Sequence, residues 1–283
     1  MPSPGPLGAY LRARRELVDP AEAGLRVVGV RRTPGLRREE VATLAGISAD
    51  YYLRLEQGRD RNPSRQVLEA LARVLRLDQT ATGYLLGLGA GSGLAGPRRV
   101  RREPVPAGIV DLLASLDLPA FVEDRRLDIL AANPTATALD PTIVAGSNRL
   151  RSYFLDERVR DLYPDWERSL RGLVASFRAS IGSGADDPAT AQLVGELSLA
   201  SERFRTLWAR HDVAGLAGGR SVIEHPAVGT LDLRRQKLPI GDTDGQILVV
   251  FHSAPGTATA AALDRLAAGA RPVSDAPGRR LLG

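Results

Sequence analysis

The residues with the most pointed chemistry gather between positions 31 and 61: Arg31, Arg32, Arg37 and Arg38, then Ser48, Ala49, Asp50, Tyr51 and Arg54, then Arg59 and Arg61. A guanidinium keeps its charge at any physiological pH and presents a planar fork of donors, which fits phosphate oxygens and the O6/N7 edge of guanine. Asp50 can accept from a cytosine amino group or repel a misplaced phosphate. The histidines offer less. His211, His225 and His252 are scattered, there is no Cys and no H-x-x-x-H pair, and a zinc site would need remote positions to converge. His211 and Asp212 are neighbours whose side chains diverge on a helix, and no G-x-S-x-G elbow supplies a serine. No catalytic residue, metal or cofactor is expected.

The elements that must position the arginines are legible in Leu36 to Gly58. Val41, Leu44 and Ala45 recur at helical spacing, Gly46 can end that helix with a positive φ, and Ser48 can cap a second helix. Two short helices joined by a Gly-containing turn form the helix-turn-helix pattern. In the second helix Tyr52 and Leu55 point to a core, while Ala49, Asp50, Leu53 and Arg54 project from the N-terminal and outer face that such a helix turns to base edges.

Val41-Ala42, Ala45-Gly46, Ile47-Ser48, Leu55-Glu56, Gly58 and the following Asn62-Pro63-Ser64 resemble the XRE class of lambda-repressor-like regulators. The resemblance implies an all-α domain that binds duplex DNA. It also marks two departures. Arg37 stands where relatives carry a capping Ser or Thr, so about 1 kcal/mol of capping is lost unless another group substitutes. Arg38 falls where relatives carry a polar residue that touches the DNA backbone. The expected DNA-contacting set is Arg32, Arg37, Arg38, Ser48, Ala49, Asp50, Tyr51, Arg54, Arg59 and Arg61.

Composition agrees. The chain has 283 residues, 43% of them hydrophobic, enough for about two domains with real cores. Residues 1 to 100 hold 16 Arg against 10 acidic residues, whereas 101 to 283 hold 22 basic against 23 acidic, so the whole positive excess lies on the half with the helix pair. The absence of Cys fits a reducing cytoplasm, and neither a basic-then-apolar leader nor an 18-residue apolar run is present, so a cytoplasmic protein with no membrane partner is expected.

Around this pair, helices are expected from Leu7 to Leu17, after Ser64 with Val67, Leu68, Leu71, Ala72 and Leu75 as its buried stripe, and from Gln79 to Leu88. Residues 89 to 106 are Gly- and Arg-rich and read as a linker; their glycines do not make G-x-G-x-x-G. Beyond it come a short helix at Ile109 to Leu116, strands at 119–123 and 127–131, and helices at about 148–155, 165–181, 188–197 and 202–210. Strands follow at 221–224, 228–238 and 246–252, then a helix at 257–268. Periodicity gives α+β for this half.

The motifs sharpen it. Leu127-Asp128-Ile129-Leu130-Ala131-Ala132-Asn133, Tyr163-Pro164-Asp165-Trp166, Phe204 to Val213, His225-Pro226-Ala227-Val228-Gly229 and Ala254-Pro255-Gly256, in that order, resemble the MmyB-like regulators, which join an XRE domain to a PAS-like ligand domain. The resemblance implies an antiparallel sheet with helices over one face and a lipid-like ligand such as a fatty acid. Phe121, Leu130, Trp166, Phe204 and Trp208 are the apolar candidates for a pocket, and Asn133, Arg210 and His211 the polar ones for a headgroup. The domain boundaries read as 1–88 for DNA binding, 89–106 for the linker, 107–270 for the ligand domain and 271–283 for a flexible tail. The function expected is a homodimeric, ligand-sensing transcriptional regulator. The rival is a partner-binding or antitoxin-like module whose second domain serves dimerisation only.

Overall fold

The computed structural model describes residues 5–25, 33, 35–60, 62–90, 103–182, 187–215 and 218–270. The expected linker from 91 to 102 and the tail from 271 lie outside them. The described residues group into two compact units, the first drawn from 1–102, 153–155 and 166–217, the second from 103–152, 156–165 and 218–283.

The first unit contains five N-terminal helices, α1 (Pro6–Leu17), α2 (Arg38–Ala45), α3 (Ala49–Glu56), α4 (Arg65–Val74) and α5 (Gln79–Gly89). Pro6 opens α1, a position where its missing N–H is no loss. Ser64 and Asp78 cap α4 and α5 by accepting the Val67 and Ala81 N–H groups. Their apolar faces meet in one core of Tyr10, Leu11, Leu36, Val41, Tyr52, Leu55, Leu68, Leu71, Leu75 and Leu85. At Gly8 the backbone of α1 touches the end of α3 so closely that a Cβ would lie 2.3 Å from the Glu56 carbonyl oxygen. On α2 Val41 is buried, whereas Leu44 is 41% exposed. Also in this unit are α10 (Trp166–Ile181), α11 (Pro188–Ala200) and α12 (Glu202–Ala209).

The second unit is built on a fully antiparallel five-stranded sheet in the order β2-β1-β5-β4-β3, formed by β1 (Ala120–Glu123), β2 (Ile129–Ala132), β3 (Gly219–His225), β4 (Gly229–Pro239) and β5 (Ile247–His252). Pairing parity fixes the two faces. Ala120, Val122 and Leu248 pack with Leu113 of α6 (Ala107–Ser115). The other face carries Phe121, Glu123, Leu231, Leu233, Arg235, Lys237, Ile247, Val249 and Phe251. This is the PAS-like arrangement that the strand order implied.

Two short helices appear that periodicity did not announce, α7 (Pro134–Leu139) and α9 (Glu157–Arg160), flanking α8 (Arg149–Leu155). The last helix, α13 (Ala258–Ala270), packs against α7 and β4.

Candidate functional site

The DNA-facing candidates are set by two caps and a turn. Gly46 takes φ 71°, and its N–H, with that of Ile47, closes the end of α2 onto Thr43 and Ala42 carbonyls. Ser48 Oγ then accepts the Tyr51 N–H at 3.1 Å and starts α3. The missing cap at Arg37 is replaced from the other side: the Arg37 backbone N–H donates to the Glu40 carboxylate at 2.6 Å, half of a capping box. On the result, Ser48, Ala49, Asp50 and Arg54 are exposed, Tyr51 and Leu53 are half-buried, and Tyr52 and Leu55 are in the core.

Arg54 and Asp50 are paired one helical turn apart, with the guanidinium 5.7 Å from the Tyr51 ring centre. The two side chains expected to read bases separately are therefore one ion pair in the free protein. At an exposed site such a pair contributes little, so trading it for a base edge costs little.

Arg38 is tied inward. Its Nε donates to Glu56 Oε2 at 2.6 Å, while Arg15 Nε holds Oε1 of the same carboxylate at 2.6 Å and Arg15 also donates to the Leu36 carbonyl at 2.8 Å. Glu56 is only 3% exposed, yet the Arg38 side chain remains 45% exposed and can meet a phosphate without leaving Glu56. Burial and the adjacent Glu56 charge push the Tyr52 hydroxyl well above the usual phenol range. Arg37 and Arg59 are exposed. Arg32 and Arg61 lie outside the described residues.

The expected ligand residues separate. Trp166 stacks on Tyr153 with centroids 5.4 Å apart, and Phe204 stacks on Trp208 at 5.8 Å, all within the helical unit. In that unit Arg210 pairs with Asp212 at 2.8 Å, and the His211 ring faces Arg178 at 3.1 Å. Phe121, Leu130 and Asn133 belong to the sheet unit. Two of these residues make other contacts there. A bulge next to Glu123 turns Leu130 into the cluster beneath α6, away from Phe121. Asn133 is a structural residue: its amide donates to the Leu116 and Leu118 carbonyls, and its oxygen accepts the Ala120 and Ala136 N–H groups, which uses its hydrogen-bonding capacity on the fold.

What sequence reasoning missed sits on the Phe121 face of the sheet. Glu123, fully buried on β1, is met by Arg149 at 2.8 Å and by Lys237 of β4 at 3.2 Å. Arg149 also stands 5.4 Å from the Phe121 ring centre. Burial alone would push the Glu123 carboxyl up, but the two cations outweigh it and hold it below its ordinary range. Lys237 is pushed down, first by burial, with Arg149 and Arg235 adding repulsion against the pull of Glu123. The signal was available: Leu231, Leu233, Arg235 and Lys237 alternate along one strand, which places the chain's only lysine on the apolar side.

His225 is held as a fold element, its Nε2 on the Ala138 carbonyl and its Nδ1 accepting the Ala227 N–H. Among the described residues, no helix is long and apolar enough to cross a membrane.

Comparison with known families agrees with both halves. A helix-turn-helix domain model matches residues 6–83, and the model for the MmyB-like transcription regulator ligand binding domain matches residues 105–266, more than half of the chain. A search of curated proteins returns no significant match. Both matched domains are those of a transcription regulator rather than of an enzyme family. The open face of α3 and the antiparallel sheet thus have one account: the chain belongs to the MmyB-like transcription regulators, a DNA-binding helix-turn-helix domain joined to a ligand-binding domain.

Proposed function

We propose that this regulator binds its operator sequence-specifically as a homodimer and senses a small lipid-like ligand such as a fatty acid. The observation that carries the DNA reading is the exposed Ser48–Asp50 end of α3 with Tyr51 and Arg54 beside it. In this reading Ala49, Asp50 and Arg54 meet base edges, Ser48 and Tyr51 steady the approach, and Arg37, Arg38 and Arg59 take phosphates. Arg32 and Arg61 join the phosphate set on sequence alone. One such helix reads few base pairs, so two copies on half-sites about 34 Å apart supply the specificity.

The ligand reading rests on the sheet. Arg149 and Lys237 both reach the carboxylate of Glu123, on the sheet face that carries Phe121, Val249 and Phe251. An apolar interior with cationic groups set into it suits an acyl chain that ends in a carboxylate. Ligand acts by binding the DNA-competent and incompetent arrangements unequally. The test is organic extraction of the purified protein with mass spectrometry of what is released, followed by palmitate titration. Palmitate binding that weakens at least tenfold in Lys237→Met and is unchanged in Arg210→Ala is expected; no bound lipid and no palmitate binding would remove the lipid reading.

A further inference from the structure

The helical unit contains a polar joint that neither the DNA-reading face nor the ligand reading uses. Its two sides come from different domains of the sequence. On one side are α1, inside the helix-turn-helix match, and α5, which begins inside that match and carries Tyr84 one residue beyond its end; on the other are α10 and the residues after α12, inside the ligand-binding match. Arg14 of α1 donates to Asp212 at 2.7 Å across 198 positions of sequence. Arg178 of α10, buried, donates to the Trp208 carbonyl at 2.6 Å, faces His211 Nδ1 at 3.1 Å and stands 3.7 Å from the Trp208 ring centre. The Tyr84 phenol of α5 is an electrostatic and hydrogen-bond partner of the same guanidinium. The Tyr10 ring lies 5.2 Å from Tyr84 and 6.3 Å from His211. Val213 packs against the core of the N-terminal helices, and Gly215 leaves room for no side chain, since a Cβ there would come within 2.9 Å of Thr80 Oγ1.

Such a joint differs from a core in what it takes to open. Its bonds are charged and hydrogen-bonded groups that water can replace, as in interfaces between domains that move. His211 adopts φ 53°, a left-handed conformation that costs a non-glycine residue energy.

The joint also has a physical route to the DNA-reading face. Arg14 and Arg15 are consecutive on α1. Arg14 holds Asp212, while Arg15 holds Glu56 at the end of α3, whose other oxygen holds Arg38. At Gly8 the same helix lies against the Glu56 backbone. A displacement of α1 by its contact with Asp212 therefore moves the carboxylate that anchors both the end of α3 and a phosphate-facing arginine.

We propose that α1 is a relay: the 166–215 segment of the ligand-binding domain sets the DNA affinity of the helix-turn-helix domain through the Arg14–Asp212 and Tyr84–Arg178 contacts, transmitted by Arg15 to Glu56. The inference rests on the DNA-reading role of α3 and is independent of the ligand's identity.

The test uses the full chain and a duplex selected from a random library by the wild-type protein. Asp212→Asn takes the charge out of the contact to Arg14 and leaves at most a neutral hydrogen bond; Asp264→Asn, at an exposed position of α13, makes the same charge change elsewhere. Tyr84→Phe disturbs the other contact with no change of charge. Asp212→Asn and Tyr84→Phe are each expected to shift Kd at least threefold relative to Asp264→Asn, and to speed hydrogen exchange in α1 and the last turn of α3. Equal Kd for all three variants and the wild type would overturn the relay, whether or not exchange changes. Failure of the wild type to enrich any duplex would instead count against the DNA-reading role itself, and with it the relay.

Discussion

Each domain holds one buried carboxylate between two cations, and the two differ in where the cations can go. In the DNA-binding helices, Glu56 joins Arg15, which is buried, to Arg38, which is half in solvent. In the sheet, Glu123, Arg149 and Lys237 are all buried, at 0%, 6% and 3% exposure. A carboxylate that ties an inner cation to an outer one is a brace: it fixes where the end of α3 stands and still leaves a charge for phosphate. A carboxylate enclosed with two cations is a tie instead: it holds β1, β4 and the start of α8 to one another, and taking away any one of the three groups is costly. The same three-group pattern thus positions a surface in one domain and locks an interior in the other.

The largest break in this contrast is expected from Glu123→Gln, which removes the charge that two buried cations share and should cost about 3–5 kcal/mol in urea unfolding. Glu56→Gln should cost less, about 2 kcal/mol, because Arg38 can turn to water and only Arg15 is stranded. An equal cost for the two would erase the distinction. Acid sharpens it. Glu123 titrates below the ordinary carboxylate range when folded, so its contribution is whole above that range and is lost only as pH falls through its folded value. His211 behaves differently. Burial first, then Arg178 and Arg14 against the opposing pull of Asp212, hold it down to about 4, while Tyr10 covers its edge. It is neutral when folded and takes a proton more readily when unfolded, so stability is whole above about pH 6.5 and declines as pH falls toward about 4. The decline should be about 3 kcal/mol. Replacing His211 with Gln should flatten that window and leave the steeper loss at lower pH.

Local chemistry made the reading head legible. The glycine at 46, the cap at Ser48 and the spacing of Tyr52 and Leu55 are satisfied within a few residues, and the structure places them as their spacing requires. The strand spans followed for the same reason, whereas the neighbour order, with β1 beside β5, did not. α7 was missed because six residues are too few for a stripe, although Asn133-Pro134, a cap followed by proline at the first helical position, was signal enough. Glu56, Glu123 and Asp212 could not be assigned from spacing. Their partners are 41, 26 and 198 positions away, and which cation meets which carboxylate is settled by packing rather than by sequence neighbourhood. Arg210 and His211 read from sequence as polar groups for a ligand's headgroup; the contacts they make are with Asp212, Arg178 and the Tyr10 ring.

The central claim is that the outer face of α3 reads base edges while the arginines around it hold phosphates. The most direct measurement is binding of Arg54→Ala to a duplex selected by the wild-type protein and, in parallel, to random duplex, each over a range of salt. A loss of about 1–3 kcal/mol on the selected duplex, with a much smaller change on random duplex, is the predicted result. Equal losses on both, or none on either, would contradict it.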